Sequence, residues 1–180
     1  MLAQSVGDWL EKVPSAILEV ALPYEVRLTN LGGKEFERLC LWVVSEDPKN
    51  RFSNARWLNE DGGGDRGRDV LATETATGKK YVFQCKCVEK FDPSAVEQEL
   101  STFARYVSED PSIKPDVYVF FLACSINDKV NSRGDKLAQQ IGMEIEYWSK
   151  GTIDRLVRTN KRISDRFWRI VGEAQPKSTE

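Results

Sequence analysis

The sequence predicts an α/β fold, in which a mixed central sheet is flanked by helices and the core elements follow the order αβββαβ. Three short strand-like segments lie between amphipathic helical patterns. Residues 117–123, VYVFFLA, form a continuous apolar run, which is typical of a strand covered on both faces. A further helix and strand follow this run. Strands that alternate with helices in this way imply helices packed on both faces of one sheet.

The first core helix is predicted over residues 34–45. Phe36, Leu39, Cys40 and Val43 recur there at the i, i+3, i+4, i+7 spacing of a buried helical face. Glu37 stands at the margin of this apolar stripe. A carboxylate in that position can reach a site at the edge of the core.

The strands and remaining helices follow from turn and capping signals. Strands are predicted over 51–59, 69–75, 80–88, 117–123 and 143–148, and helices over 92–107, 128–141 and 151–172. Asp92 is a good N-cap with Pro93 at the first helical position, and Gly142 follows the end of the next helix. The glycine-rich segment EDGGGDRG joins the first two strands, because glycine permits backbone conformations that other residues resist.

Composition narrows the possible chemistry. The chain has 180 residues, 41% of them hydrophobic and 30% charged, which is the balance of one soluble domain with a substantial core. It has no histidine, so Ser-His-Asp and Cys-His nucleophile systems are excluded. Cys40, Cys85, Cys87 and Cys124 are interpreted as small core residues, and no zinc-ligand spacing is present. Catalysis in this chain must therefore use carboxylates and lysine, with or without a metal.

The N-terminus and the charge distribution bear on location and partners. The first 20 residues lack a basic region, and no apolar run approaches the roughly 20 residues that cross a bilayer. We therefore expect a cytoplasmic protein without a membrane partner. The net charge is −2, but six basic residues lie between Arg155 and Arg169 against the single acid Asp165. That segment is either a solvated helical face or a phosphate-facing surface.

Asp69, Gln84 and Lys86 form the most informative group. Fifteen residues separate Asp69 from Gln84, enough for one strand, a turn and a returning strand. Because side chains alternate along a strand, Gln84 and Lys86 point to one face, and Cys85 and Cys87 to the other. A carboxylate, an amide oxygen and an ammonium can thus meet. These three groups could hold a hard divalent cation and a water molecule beside a phosphodiester.

The pieces GGKEFERLC (32–40), GDRGRDVLA (64–72) and FQCKC (83–87), in this order, resemble the PD-(D/E)xK nuclease superfamily. They are most similar to its Mrr-like restriction-endonuclease branch, in which glutamine replaces the second acidic ligand to give QxK. The resemblance covers roughly residues 30–125. It implies a restriction-endonuclease-like core, which we assign to residues 31–172. The apolar pattern before this core predicts an N-terminal helical segment (1–30), and the polar sequence after it predicts a disordered tail (173–180).

The resemblance also implies roles for individual residues. Asp69, the Gln84 amide oxygen and the Cys85 backbone carbonyl would bind Mg²⁺ or Mn²⁺, and Glu37 would bind or orient the ion through water. Lys86 would orient the attacking water and stabilise charge on the phosphate. Asp65 is a weaker candidate ligand. Arg66 and Arg68 would grip phosphate oxygens or merely shape the turn.

The functional hypothesis is a Mg²⁺-dependent DNA endonuclease domain acting in restriction or antiphage defence, the biological role being implied by the resemblance alone. A junction-selective repair nuclease, or a catalytically silent interaction module, are the alternatives. The N-terminal apolar residues, including Trp9, Leu10 and Val13, favour a homo-oligomer or else cover the sheet. A fused or associated sensor domain would supply the DNA affinity that the acidic balance lacks.

Overall fold

The computed structural model describes residues 27–58 and 66–165. After a short 3₁₀ turn at Leu28–Asn30, the elements are α1 (Gly33–Ser45), β1 (Phe52–Trp57), β2 (Val70–Glu74), β3 (Lys80–Lys86), α2 (Pro93–Glu109), a 3₁₀ turn (Pro111–Ile113), β4 (Val117–Leu122), α3 (Asp128–Ile141), β5 (Glu144–Trp148) and α4 (Lys150–Thr159). Residues 161–165 are also helical. The predicted order of elements is confirmed within the described residues.

The five strands form one mixed sheet in the order β1-β2-β3-β4-β5. The β1–β2 and β2–β3 pairs are antiparallel, and the β3–β4 and β4–β5 pairs are parallel. The parallel pairs require crossover connections, which α2 and α3 supply. The α/β class with a mixed, helix-flanked sheet is therefore confirmed.

A hydrophobic core lies on each face of the sheet, and β4 contributes to both. Val117, Val119 and Phe121 face the core that α1 and α4 cover. Tyr118, Phe120 and Leu122 face the core beneath α2 and α3. All six residues are buried, which explains the uninterrupted apolar run in the sequence.

The helix caps and the buried helix faces lie where the sequence predicted them. Asp92 Oδ1 accepts hydrogen bonds from the N–H groups of Ser94 and Ala95, both at 3.1 Å, at the start of α2. Gly142 ends α3 with a φ of 76°, a left-handed conformation that glycine adopts at little cost. The four predicted stripe residues of α1 are all buried. Strands β1 and β3 are shorter than predicted. β1 covers Phe52–Trp57, and β3 ends at Lys86.

The cysteines are all free thiols, and their positions fit packing roles. Cys40 and Cys124 are buried, and Cys85 and Cys87 are half-buried against the core beneath α1. The expected alternation along β3 is confirmed.

Several expectations concern residues outside the described ranges. They are the N-terminal segment up to residue 26, Asp65 in the loop before β2, and the stretch after residue 165 with its tail. No helix in the described part of the chain is long and apolar enough to span a bilayer.

Candidate active site

A cleft of about 480 Å³ opens where β2 and β3 separate. The last pair of their antiparallel register is Val70 with Phe83, and the Asp69 N–H donates to the Phe83 carbonyl at 2.9 Å. β3 continues for three residues beyond that pair. The lining includes six of the predicted site residues, namely Glu37, Arg66, Asp69, Gln84, Cys85 and Lys86. The structure thus brings together nearly the whole predicted set.

Asp69 is held rigidly at the base of the cleft. It is only 2% exposed. Its Oδ2 accepts hydrogen bonds from the Cys85 backbone N–H at 2.5 Å and from Gln84 Nε2 at 3.0 Å. The two donors fix the orientation of this buried carboxylate.

Gln84 contributes an oxygen that carries no partner among the described residues. The side chain is 6% exposed, and its Nε2 is committed to Asp69. Its Oε1 is buried without a hydrogen-bond partner. A buried unpaired acceptor costs roughly 1–3 kcal/mol, so such an atom calls for an explanation. Coordination of a cation beside Asp69 would satisfy it.

Cys85 takes part through its backbone. Carbonyl groups alternate in direction along a strand, and the Phe83 carbonyl accepts from Asp69 while the Lys86 carbonyl accepts from Ala123 beside β4. The Cys85 carbonyl therefore points toward the Asp69 side, where β2 no longer pairs with β3. Burial raises the pKa of the Cys85 thiol well above its usual value, so the thiol stays protonated.

Lys86 has an acidic partner that the sequence analysis did not identify. Its Nζ lies 2.6 Å from Glu99 Oε1 on α2, and the two side chains are 25% and 30% exposed. The strand pattern indicated that a lysine here needs an acidic or phosphate partner. The sequence did contain a signal for this partner. Glu99 follows Val96 of the buried α2 stripe by three residues, so it lies on the side of α2 that packs on the sheet. Glu99 restrains the ammonium within the cleft.

Glu37 lines the cleft from α1, on the opposite side of the sheet from α2. Its Oε2 accepts a hydrogen bond from Trp57 Nε1 at 2.7 Å. The Arg38 guanidinium lies 5.3 Å from the centre of the same indole ring. These contacts hold the Glu37 carboxylate at the rim, consistent with the outer position that the helical stripe predicts.

Arg66 and Arg68 separate to two surfaces. Arg66 lines the cleft and lies 3.7 Å from Asp110 Oδ2, whereas Arg68 lines a neighbouring groove. The hydrogen bond from Ser112, and after it the charges of the two arginines, lower the pKa of Asp110. The acid therefore remains ionised and offsets part of the positive charge.

The basic segment near the C-terminus is largely paired within the chain. Arg158 Nε lies 2.9 Å from Asp154, Lys161 lies 3.0 Å from Asp165, and Arg162 lies 3.3 Å from Glu46. These contacts favour the solvated helical face over the phosphate-facing surface for the described part of the segment.

Gly67 shapes the cleft floor. Its φ is 76°, and its carbonyl accepts a hydrogen bond from the Tyr118 hydroxyl at 2.9 Å. A β-carbon at this position would lie 3.2 Å from Gln84 Oε1 and 3.4 Å from the Tyr118 hydroxyl oxygen. The absence of a side chain leaves space beside the unpaired amide oxygen.

Replacing Gly67 with alanine is expected to weaken divalent-cation binding at the cleft, because the methyl group crowds Gln84 Oε1. The positive φ adds a strain of about 1–2 kcal/mol. Gly78→Ala is the matched control, since Gly78 has a φ of 74° in the β2–β3 turn and open space around it. Thermal melting should fall in both variants, and Mn²⁺ affinity, measured by titration calorimetry, only in Gly67→Ala. Equal Mn²⁺ affinity in the two variants would contradict a site at Gln84.

The donor chemistry fits a hard divalent cation. The described residues contain no group of three or more His, Cys, Asp or Glu side chains placed to hold a metal. The available set is instead one carboxylate from Asp69, the Gln84 amide oxygen and the Cys85 carbonyl, with Glu37 at the rim. Oxygen donors of this kind suit Mg²⁺ or Mn²⁺, which retain several waters.

Comparison with known proteins adds no further constraint. No protein-family model matches the chain, and no curated protein or solved structure is significantly similar to it.

Proposed function

We propose that this protein is a Mg²⁺-dependent DNA endonuclease with a restriction-endonuclease-like core, related to the Mrr-like branch and acting in restriction or antiphage defence. The observation that supports it best is the arrangement at the end of the β2–β3 pair. There Asp69, the unpaired Gln84 oxygen and the Lys86 ammonium line one cleft. The motif resemblance supplies the reaction class and the biological role.

Each residue then has a distinct part in phosphodiester hydrolysis. Asp69, Gln84 Oε1 and the Cys85 carbonyl hold the cation, which when bound supplies Lewis-acid stabilisation and a water of lowered pKa. Lys86 orients the attacking water and stabilises negative charge on the phosphate oxygens. Glu99 keeps the Lys86 ammonium in place, and Arg66 at the mouth of the cleft contacts the substrate phosphate.

The direct test is incubation of the protein with supercoiled plasmid. Nicking or linearisation is expected with Mg²⁺ or Mn²⁺, and little with Ca²⁺, because calcium accepts looser geometry and more ligands. Zinc-free buffers and an EDTA arm serve as controls. Full cleavage in EDTA would rule out the proposed mechanism.

Gln84→Glu is expected to make the stability of the protein depend on metal. Glutamate removes the Nε2 donor and places a second buried carboxylate beside Asp69, so repulsion lowers the melting temperature in EDTA. Mn²⁺ should raise the melting temperature more in the variant than in the wild type, and titration calorimetry should show tighter binding. An equal Mn²⁺ response in both proteins would place the ion elsewhere.

A further inference from the structure

A second concave surface lies beside the cleft, on the same side of the sheet as α2. It is a groove of about 400 Å³. Its floor includes Leu71 and Val82 from β2 and β3. Its far wall is formed by the 3₁₀ turn that follows α2 and by the two residues after that turn. Helices α2 and α3 cover the core of this face over β3 and β4, which leaves the outer strands to form the groove.

Charge distinguishes this groove from the rest of the chain. Its described lining includes four cationic side chains and no aspartate or glutamate, although acidic residues outnumber basic ones by 28 to 26 in the sequence. The four are Arg56, Arg68, Lys80 and Lys114. Arg56, Lys80 and Lys114 are exposed, and Arg68 is half-buried.

A β-bulge directs Arg56 into this groove. Ser53 pairs with Thr73 and Arg56 with Leu71, so β1 uses three steps where β2 uses two. The extra residue is Asn54, with a φ of 54°. If Asn54 instead continued the regular strand alternation, Arg56 would face the opposite side of the sheet, where Ala55 now packs. The bulge in this edge strand therefore places the Arg56 side chain on the face of the sheet that carries the groove.

The groove is continuous with the cleft through one short segment. Arg66 lines the cleft, Arg68 lines the groove, and Gly67 between them is anchored by the Tyr118 hydroxyl. Two acids of the described residues near this track have partners within the chain. Asp110 lies beside Arg66, and the Asp116 carboxylate accepts from the Lys80 backbone N–H at 2.8 Å.

We propose that this groove, lined by Arg56, Arg68, Lys80 and Lys114, binds the sugar-phosphate backbone of DNA and leads one strand into the Asp69–Lys86 cleft. Charge complementarity identifies the occupant, because a concave surface whose described lining includes four cations and no acid matches a regularly charged polyanion. The direction of the strand toward the cleft rests on the proposed nuclease function, whereas DNA binding in the groove does not. Backbone contacts carry no sequence information, so the groove supplies affinity and register only.

The test is fluorescence anisotropy of a labelled DNA duplex with the full chain in EDTA, where binding is measured without cleavage. The variant Arg56→Glu/Lys80→Glu should bind roughly tenfold more weakly or worse, and the slope of log K against log salt should shrink by about 2. Arg56→Gln/Lys80→Gln should show a smaller loss in the same direction.

The matched control is Lys129→Glu/Lys136→Glu, which makes the same change of net charge with two exposed lysines of α3. It should lose little affinity. Equal losses in both double glutamate variants, or no loss in the groove variant, would overturn the groove assignment, as would no binding by the wild type at low salt.

A plasmid assay separates the two proposals. Groove-dependent binding without any cleavage refutes the nuclease alone, and cleavage unaffected by the groove variant refutes the groove alone.

Discussion

Lys86→Ala is expected to reduce plasmid cleavage by about 10²–10³-fold or more, while the melting temperature changes little. Loss of one preorganised group that stabilises transition-state charge has an effect of this size. The fold should tolerate the change, because the ion pair with Glu99 is partly exposed and such pairs contribute little to stability. Initial rates of nicking at saturating Mg²⁺ and a thermal melt are the two measurements.

Lys90→Ala is the control for this experiment. Lys90 lies four residues further along the chain, its side chain is 82% exposed, and it faces Asp92 rather than the cleft. Its substitution removes the same charge without touching the site. Cleavage by Lys86→Ala at the rate of the Lys90→Ala protein would refute the assignment of Lys86.

Asp69→Asn is expected to abolish cleavage and to lose little stability, whereas Asp69→Ala loses both. The asparagine oxygen can still accept from the Cys85 N–H and from Gln84 Nε2, but the negative charge for the cation is gone. Alanine leaves both buried donors unsatisfied, at a cost of about 1–3 kcal/mol for each. Activity and urea unfolding measured on both variants separate the two roles of Asp69.

The comparison of the two variants identifies what Asp69 does. If the residue were only structural, Asp69→Asn would cleave DNA nearly as well as the wild type. If Asp69 is a metal ligand, Asp69→Asn should keep the fold but lose most of its Mn²⁺ affinity, as measured by calorimetry.

Local sequence determined the elements of this protein. The buried stripe of α1, the Asp92 cap of α2 and the apolar run of β4 are short-range patterns, and each element formed where its pattern lies. The alternation of Gln84 and Lys86 against Cys85 is likewise a property of any strand. These features depend on residues within one or two turns of each other, which is why they could be predicted.

Tertiary structure decided the contacts that cross between elements. The pairing of Lys86 with Glu99 depends on how α2 packs on the sheet. The burial of Asp69 under two donors from β3, and the division of Arg66 and Arg68 between cleft and groove, depend on how the segment before β2 meets β3 and β4. The face on which the Arg56 side chain lies depends on a bulge in β1, and the local sequence gave no signal for this bulge. Local periodicity fixes the face on which a side chain lies. Only the packing of distant segments fixes which partner it meets there.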